Sequence, residues 1–165
     1  VVGSEMCIRD RSKGGTMSQT QKQMVQLSLT TTVRQDDDVE TFNFDTEGEL
    51  LVKNDHVYLR YTETIAEQQT KVRFKFEPDS VRLHRTGDGQ QTQLVFVLDQ
   101  QVPAFYQTPA GQMHLATYTI QLQTAIDPEK AQGKIAIDYQ LIANDQIVGE
   151  YALRLQFQAK SSKLN

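Results

Sequence analysis

The chain has 165 residues, with 17 Lys and Arg against 21 Asp and Glu and a formal net charge of −4. This balance argues against a nucleic-acid partner, because nucleic-acid-binding proteins present a basic face. Its single cysteine excludes an internal disulfide framework, and its longest apolar run, residues 94–98, is too short to cross a bilayer. We therefore expect one domain with one core and no membrane partner.

The first sixteen residues differ in character from the rest. They contain Glu-Met-Cys-Ile-Arg-Asp, the translation in one frame of the transposon mosaic-end adaptor used in sequencing libraries. We predict residues 1–16 to be a non-native, disordered segment, followed by a flexible stretch at 17–23, a barrel domain at 24–158 and a tail at 159–165. The only cysteine, Cys7, leaves with that segment, and no signal peptide follows Met17, which favours the cytoplasm.

The strongest pattern is an alternation of apolar and polar residues with a period of two that starts afresh about every ten residues. Val25, Leu27 and Leu29 show it in the first run. Successive side chains of a strand point to opposite faces, so each run predicts a strand with one apolar face. Turn-forming residues separate the runs and give these strands in chain order: 24–34, 39–45, 49–53, 56–65, 70–77, 80–86, 91–99, 112–124, 133–143 and 147–158.

The links between these strands indicate their arrangement. Most links have two to five residues, which favours antiparallel hairpins in up-and-down order. The longest link, 100–111, contains two prolines and is predicted to be a corner or a mouth loop. Residues 127–131 are predicted to form one helical turn capped by Asp127. Because an open sheet would leave sticky edges, we predict an all-β fold, a single antiparallel up-and-down β-barrel of about 8–10 strands.

Several polar side chains share the parity of the predicted interior, namely Thr31, Tyr61, Tyr139 and Tyr151. Convergent polar groups in an apolar lining are typical of a ligand pocket, whereas tyrosines near the barrel ends would place their hydroxyls in water. Arg85 is also predicted to point inward. A buried guanidinium needs acceptors, so Arg85 either pairs with an internal carboxylate or binds the anionic head group of a ligand.

The strand at 112–124 carries apolar residues on both faces. Tyr118, Ile120 and Leu122 lie on the parity opposite to Leu115. Apolar side chains on both faces indicate that both are covered, by a helix or a partner chain, or that a bulge swaps the parity.

No chemical motif points to catalysis or to a metal. His56, His84 and His114 are isolated and are predicted to be solvated, since none has a second ligand at metal-binding spacing. Asp36 to Asp38 lack the alternating spacing of a calcium loop and read as a solvated turn. The chain has no nucleophile elbow and no phosphate-binding glycine loop. We expect no enzyme activity, no metal and no cofactor.

Four segments carry a resemblance to a known family: residues 48–61, 80–87, 106–111 with the pattern Tyr-x-Thr-Pro-x-Gly, and 133–150. In this order they resemble the second hairpin, the next strand, the Tyr-x-Thr-Pro-x-Gly motif and the closing hairpin of the YwiB-like family of uncharacterised bacterial proteins, a domain of unknown function. The resemblance implies a calycin, or lipocalin-like, β-barrel and carries no catalytic residues. The chain departs from the family's pattern at Ala110, where a bulkier residue is common.

The resemblance also marks Tyr106, Thr108, Pro109 and Gly111, in addition to Arg85. Pro109 and Gly111 can set a turn and Thr108 can hydrogen-bond across it, so we interpret these three residues as a structural turn motif.

Two functions from different classes remain open. The first is a carrier or sensor that holds a small apolar or amphipathic ligand inside the barrel, which requires a cavity of at least about 300 Å3. Its candidate ligand-binding residues are Tyr61, Arg85, Tyr106, Tyr139 and Tyr151. The alternative is an interaction module with a filled core, which contacts a protein partner or a second copy through strand 112–124 or the barrel mouth.

Overall fold

In a computed structural model that describes residues 20–160, the chain forms ten antiparallel strands. Each strand pairs with its neighbours in sequence, and β1 also pairs with β10, so the sheet closes into an up-and-down barrel. The strands are β1 Thr20–Gln35, β2 Asp38–Lys53, β3 His56–Ile65, β4 Gln68–Glu77, β5 Ser80–Gly87, β6 Gln90–Phe96, β7 Gln101–Thr108, β8 Gly111–Asp127, β9 Gln132–Ala143 and β10 Gln146–Ala159. The predicted all-β barrel is confirmed, while the prediction for residues 1–16 lies outside the described residues.

The first strand closes the barrel. β1 pairs with β2 over residues 20–35 and with β10 over residues 25–34, so both of its edges carry ladder hydrogen bonds. It begins at Thr20, earlier than the strand predicted from residue 24. Within residues 20–160 no helix is long and apolar enough to cross a membrane.

The core consists of inward side chains from all the strands except β7 and β8, whose partly buried Ala104, Leu122 and Ile126 pack against it. Phe74, Phe96 and Leu59 are fully buried, and the ring of Phe74 stacks on that of Phe76 at 5.9 Å. Each such side chain contributes about 1.5–3 kcal/mol by leaving water. The turn between β8 and β9 adds the fully buried Ala131, so one end of the barrel is filled by apolar side chains.

The predicted strands 39–45 and 49–53 are one strand, β2, because Gly48 lies within the ladder and not in a turn. A Cβ atom at Gly48 would lie 2.8 Å from Leu27 Cδ2 and 2.9 Å from the carbonyl oxygen of Arg60. The glycine is therefore required for close packing, and reading it as a turn signal was wrong.

The prediction of a corner or mouth loop at 100–111 is also wrong, because these residues form β7 and the turn that follows it. β7 pairs fully with β8 but meets β6 only over residues 105–107. Pro103 lies outside this short paired segment. No residue of β6 pairs with it, so the N–H group that proline lacks is not needed for the ladder with β6. Next to the short β6–β7 ladder, β6 is also linked to β8, because the hydroxyl of Thr117 donates a hydrogen bond to the carbonyl of Val95 at 2.8 Å.

A bulge explains the two apolar faces of β8. The register with β9 shifts between Thr119 and Gln121, which leaves Ile120 as the extra residue. Ile120 is 51% exposed, whereas Leu122 packs against the core. Inward and outward positions thus exchange at the bulge. Of the three explanations that the sequence allowed, a helix, a partner chain or a bulge, the structure shows the bulge.

The segment predicted to be a helical turn at 127–131 is a hydrogen-bonded turn and not a helix. The carboxylate of Asp127 accepts hydrogen bonds from the N–H groups of Glu129 and Lys130 at 3.1 and 3.2 Å, in the manner of a cap. The N–H of Ala131 donates to the carbonyl of Pro128 at 3.3 Å, and β9 begins at the next residue, before a helix can propagate.

Substitution of Gly48 tests the packing of β2. We expect Gly48→Ala to lower the free energy of unfolding by about 1–3 kcal/mol, because the new methyl group meets backbone and side-chain atoms that cannot all move. Urea unfolding followed by circular dichroism measures the change. Glu40→Ala, on the exposed part of the same strand, is the control and should change stability little; equal effects of the two substitutions would contradict the packing argument.

Candidate functional site

A cavity of about 260 Å3 lies inside the barrel. Its lining comes from the halves of the strands next to the five hairpin turns β1–β2, β3–β4, β5–β6, β7–β8 and β9–β10, which we call the mouth end. All five predicted ligand-binding residues line this cavity, namely Tyr61, Arg85, Tyr106, Tyr139 and Tyr151. Thr31 lines it as well. The remaining lining is mostly Leu and Phe, so an apolar chamber carries a group of polar side chains.

The volume limits what the cavity can hold. It falls below the about 300 Å3 at which ordinary ligand pockets begin. It exceeds the 150 Å3 of an engineered apolar cavity that takes up benzene. One ring with a small substituent therefore fits, and a long acyl chain does not.

The polar group is built around an ion pair between Arg85 on β5 and Glu63 on β3. Arg85 Nη2 donates to Glu63 Oε1 at 2.6 Å, and Nη1 donates to Oε2 at 3.1 Å, a two-point fork. The Glu63 side chain is 8% exposed and that of Arg85 is 35% exposed. Of the two alternatives for Arg85, the structure therefore shows the internal carboxylate.

The curvature of the barrel brings this pair together. β4 lies between β3 and β5, with Val72 paired to Tyr61 on one side and to Arg85 on the other. Glu63 follows Tyr61 by two residues and therefore faces the same way. In a flat sheet these side chains would stand about 10 Å apart, two strand spacings, whereas long inward side chains converge inside a barrel.

The Arg85 guanidinium keeps its charge in spite of its partial burial. Burial alone would lower the pKa of Arg85, but the hydrogen bonds and the negative charge of Glu63 more than offset it and raise the pKa above its usual value. The guanidinium thus stays protonated, and the two charges cancel within the cavity.

Aromatic rings form the opposite wall. The rings of Tyr139 and Tyr151 stack with their centroids 4.9 Å apart. The ring centroid of Phe96 lies 4.7 Å from that of Tyr139. Burial raises the pKa values of Tyr61 and Tyr139 well above the usual range, so both keep their hydroxyl protons. The Tyr61 hydroxyl is buried and has no hydrogen-bond partner among the described residues.

The turn motif at the mouth end has the hydrogen bonds that its sequence suggests. Thr108 Oγ1 donates to the Gly111 carbonyl at 3.0 Å and accepts from the Ala110 N–H at 3.2 Å. Gly111 has a φ of 125°, which strains any residue with a side chain. These contacts hold the turn beside Tyr106 and make the motif structural.

The histidines lie outside the cavity. His114 is exposed, but His84 is half-buried on the outer surface, where its ring lies 3.4 Å from Arg73 Nη2. Burial and the Arg73 charge lower the pKa of His84. His56 is half-buried as well, so the prediction of a solvated side chain holds fully only for His114. Among residues 20–160 no three His, Asp or Glu side chains converge on a common point.

Glu63 is not among the residues predicted from the sequence, although its position in the alternation points inward. Glu63 has the parity of Leu59 and Tyr61, so the alternation alone placed it inside. Its partner was not readable, because it lies 22 residues away on a strand that is not adjacent. Thr92 joins the lining in the same way, from β6.

Comparisons with known proteins agree with this fold. A family model described as "Domain of unknown function (DUF1934)" matches residues 27–155. The "Uncharacterized beta-barrel protein YwiB" of Bacillus subtilis (strain 168) is 29% identical over 126 residues, which cover 76% of this chain and 87% of that protein. The crystal structure of the ywiB protein from Bacillus subtilis superposes with a TM-score of 0.74 at 22% identity, covering 85% of this chain and 94% of that one. The resemblance predicted from the sequence is confirmed.

A double-mutant cycle tests the ion pair. We expect Glu63→Leu to lower the free energy of unfolding by about 1–3 kcal/mol, because it leaves the Arg85 charge without a partner. Adding Arg85→Met should restore most of that loss, since two apolar residues replace a pair whose burial is costly. Urea unfolding of both single variants and the double variant gives the coupling. Additive effects would show that the two charges do not depend on each other.

Proposed function

Since the chain belongs to the DUF1934 family, a domain of unknown function, we propose its function from the cavity: the barrel binds a small, largely apolar ligand at its mouth end without transforming it. The observation that carries this proposal is an interior that is not filled, with apolar walls and a cluster of polar side chains on one part of them. Apolar walls with a few convergent polar groups are typical of the lining of a ligand site, and this chamber is a small example.

The end of the barrel opposite to the mouth is filled, which supports a ligand site at the mouth end alone. Phe76, Phe96 and Phe157 occupy the end opposite to the mouth and belong to the continuous core. They supply stability, so the mouth end can keep empty volume. A ligand that covers apolar lining there gains about 25 cal/mol for each Å2 removed from water.

We propose a carrier or sensor that acts in the cytoplasm, without a membrane or nucleic-acid partner. Several surface cations are paired with carboxylates on the neighbouring strand, as Arg60 is with Glu49 at 2.7 Å and Arg154 with Asp138 at 2.8 Å. Each pair lowers the positive charge at its own position, and a strongly basic surface is what polyanion binding requires.

One observation favours the interaction module as a second candidate. Leu98 is 46% exposed and Ile120 is 51% exposed, and the two are neighbours because Leu98 forms a bridge with Thr119. Exposed apolar side chains side by side are a feature of contact surfaces. The patch is small, so we rank it below the cavity.

Native mass spectrometry of the full chain, purified without denaturation, tests ligand binding. We expect a retained mass of a size that fits the cavity, or, failing that, saturable binding of added toluene observed by NMR. Leu153→Phe should abolish both, because Leu153 lines the cavity and the larger ring takes up its volume. Gln156→Phe adds the same ring on the exposed face of the same strand and serves as the control.

A wild-type protein that carries no retained mass and takes up no toluene would refute the binding proposal. Loss of binding in Gln156→Phe as well as in Leu153→Phe would show that the effect is unrelated to the cavity. Thermal unfolding of each variant establishes that it is folded at the temperature of the measurement.

Ile120→Asp tests the second candidate. We expect no change in assembly state or in stability beyond about 0.5 kcal/mol, because Ile120 is the exposed residue of the bulge. Analytical ultracentrifugation and urea unfolding measure the two properties, with Gln123→Asp on the same strand as the control. Dissociation of an oligomer by Ile120→Asp alone would transfer the proposal to the interaction module.

A further inference from the structure

The charges inside the cavity restrict the ligand more closely than the volume does. Among the residues that line it, only Glu63 and Arg85 carry a charge, and they are joined by two hydrogen bonds. The chamber therefore holds one positive and one negative group within hydrogen-bond distance and no net charge.

A charged ligand would gain little from such a pair. An anion that approaches Arg85 also approaches Glu63, whose carboxylate lies 2.6 Å from the guanidinium, and a cation meets the converse arrangement. Either ion must give up its hydration shell on entering, and no uncompensated charge in the lining repays that cost. The pair thus disfavours carboxylates and amines alike.

An uncharged polar group finds partners in the same place. A guanidinium has five N–H donors, and the bonds to Glu63 use two of those of Arg85, which leaves three. The side chain of Arg85 is 35% exposed, so these donors are within reach. Tyr61 contributes a buried hydroxyl without a partner among the described residues, and such a group is costly until one is supplied.

We infer that the ligand is an uncharged molecule of about one ring, whose polar end is an amide, carbonyl or hydroxyl held beside the Glu63–Arg85 pair. This inference rests on the proposed function and deepens it by naming the chemical class. Arg85 and Tyr61 bind the polar end, the apolar walls cover the ring, and Glu63 acts by cancelling the charge that would otherwise select an anion.

Three molecules of nearly the same shape test this inference: benzamide is neutral, benzoate carries a negative charge and benzamidine a positive charge at pH 7.5. Their binding to the full chain is measured by NMR titration, with toluene as the apolar reference. We expect benzamide to bind at least about tenfold more tightly than either ion. Tyr61→Phe should weaken benzamide severalfold and leave toluene unchanged, since only the hydrogen bond is lost.

Removing one charge at a time should reverse the preference. Glu63→Gln leaves Arg85 without its counter-charge, so benzoate should become the tightest of the three ligands. Arg85→Gln leaves the carboxylate, so benzamidine should become the tightest. Glu49→Gln removes a carboxylate on the outer surface, where Glu49 pairs with Arg60, and the wild-type order should remain.

The outcomes separate the two proposals. If wild-type protein binds toluene but prefers benzoate or benzamidine to benzamide, the inference of an uncharged ligand is overturned while ligand binding stands. Toluene binding without benzamide binding overturns the inference as well, because the polar end then plays no part. Failure of all four molecules, with no retained mass, refutes the binding proposal itself. The wild-type series decides the inference even where a charge variant does not fold.

Discussion

The structure depends on the pairing of β1 with both β2 and β10. A sheet of ten strands has two long edges, and backbone groups left unpaired there would attract other chains. β1 removes both edges by forming ladders along its two sides. Closure also creates an inside, so that one face of every strand is shielded from water and can assemble a single core. Every later property, including the cavity, follows from that separation of inner and outer faces.

Closure of the barrel brings the two members of a buried ion pair together. Inside a barrel, side chains from strands two places apart meet across the strand between them, as Glu63 and Arg85 do across β4. An ion pair in such a place adds little to stability, because removing two charges from water costs about as much as their attraction returns. Its presence among Leu and Phe side chains is therefore not explained by strength of the fold, and we relate it to the selectivity proposed for the cavity.

The two ends of the barrel differ in packing, and the proposed ligand site lies at the less filled one. The end opposite to the mouth is packed with phenylalanine rings and the buried Ala131, while the mouth end keeps free volume beside tyrosines and the ion pair. Two neighbouring strand pairs are joined over only a few residues: β2 pairs with β3 over residues 48–53, and β6 pairs with β7 over residues 91–93 and 105–107. Beside the first of these short ladders, the ring centroids of Phe44 and Tyr61 lie 6.1 Å apart. The filled core and the hollow mouth end are thus parts of one continuous sheet.

The sequence by itself determined which side chains face inward, because the two-residue period of a strand is a local property. That period predicted the barrel and placed Arg85, Tyr61, Tyr139 and Tyr151 inside it. Only the tertiary structure decided what Arg85 meets, since Glu63 reaches it through curvature across an intervening strand. It also decided that Gly48 lies within a strand, that residues 101–108 form β7 and that Ile120 bulges. Each of these depends on register and closure, and no short stretch of sequence records them, because they are properties of strands paired around the whole ring.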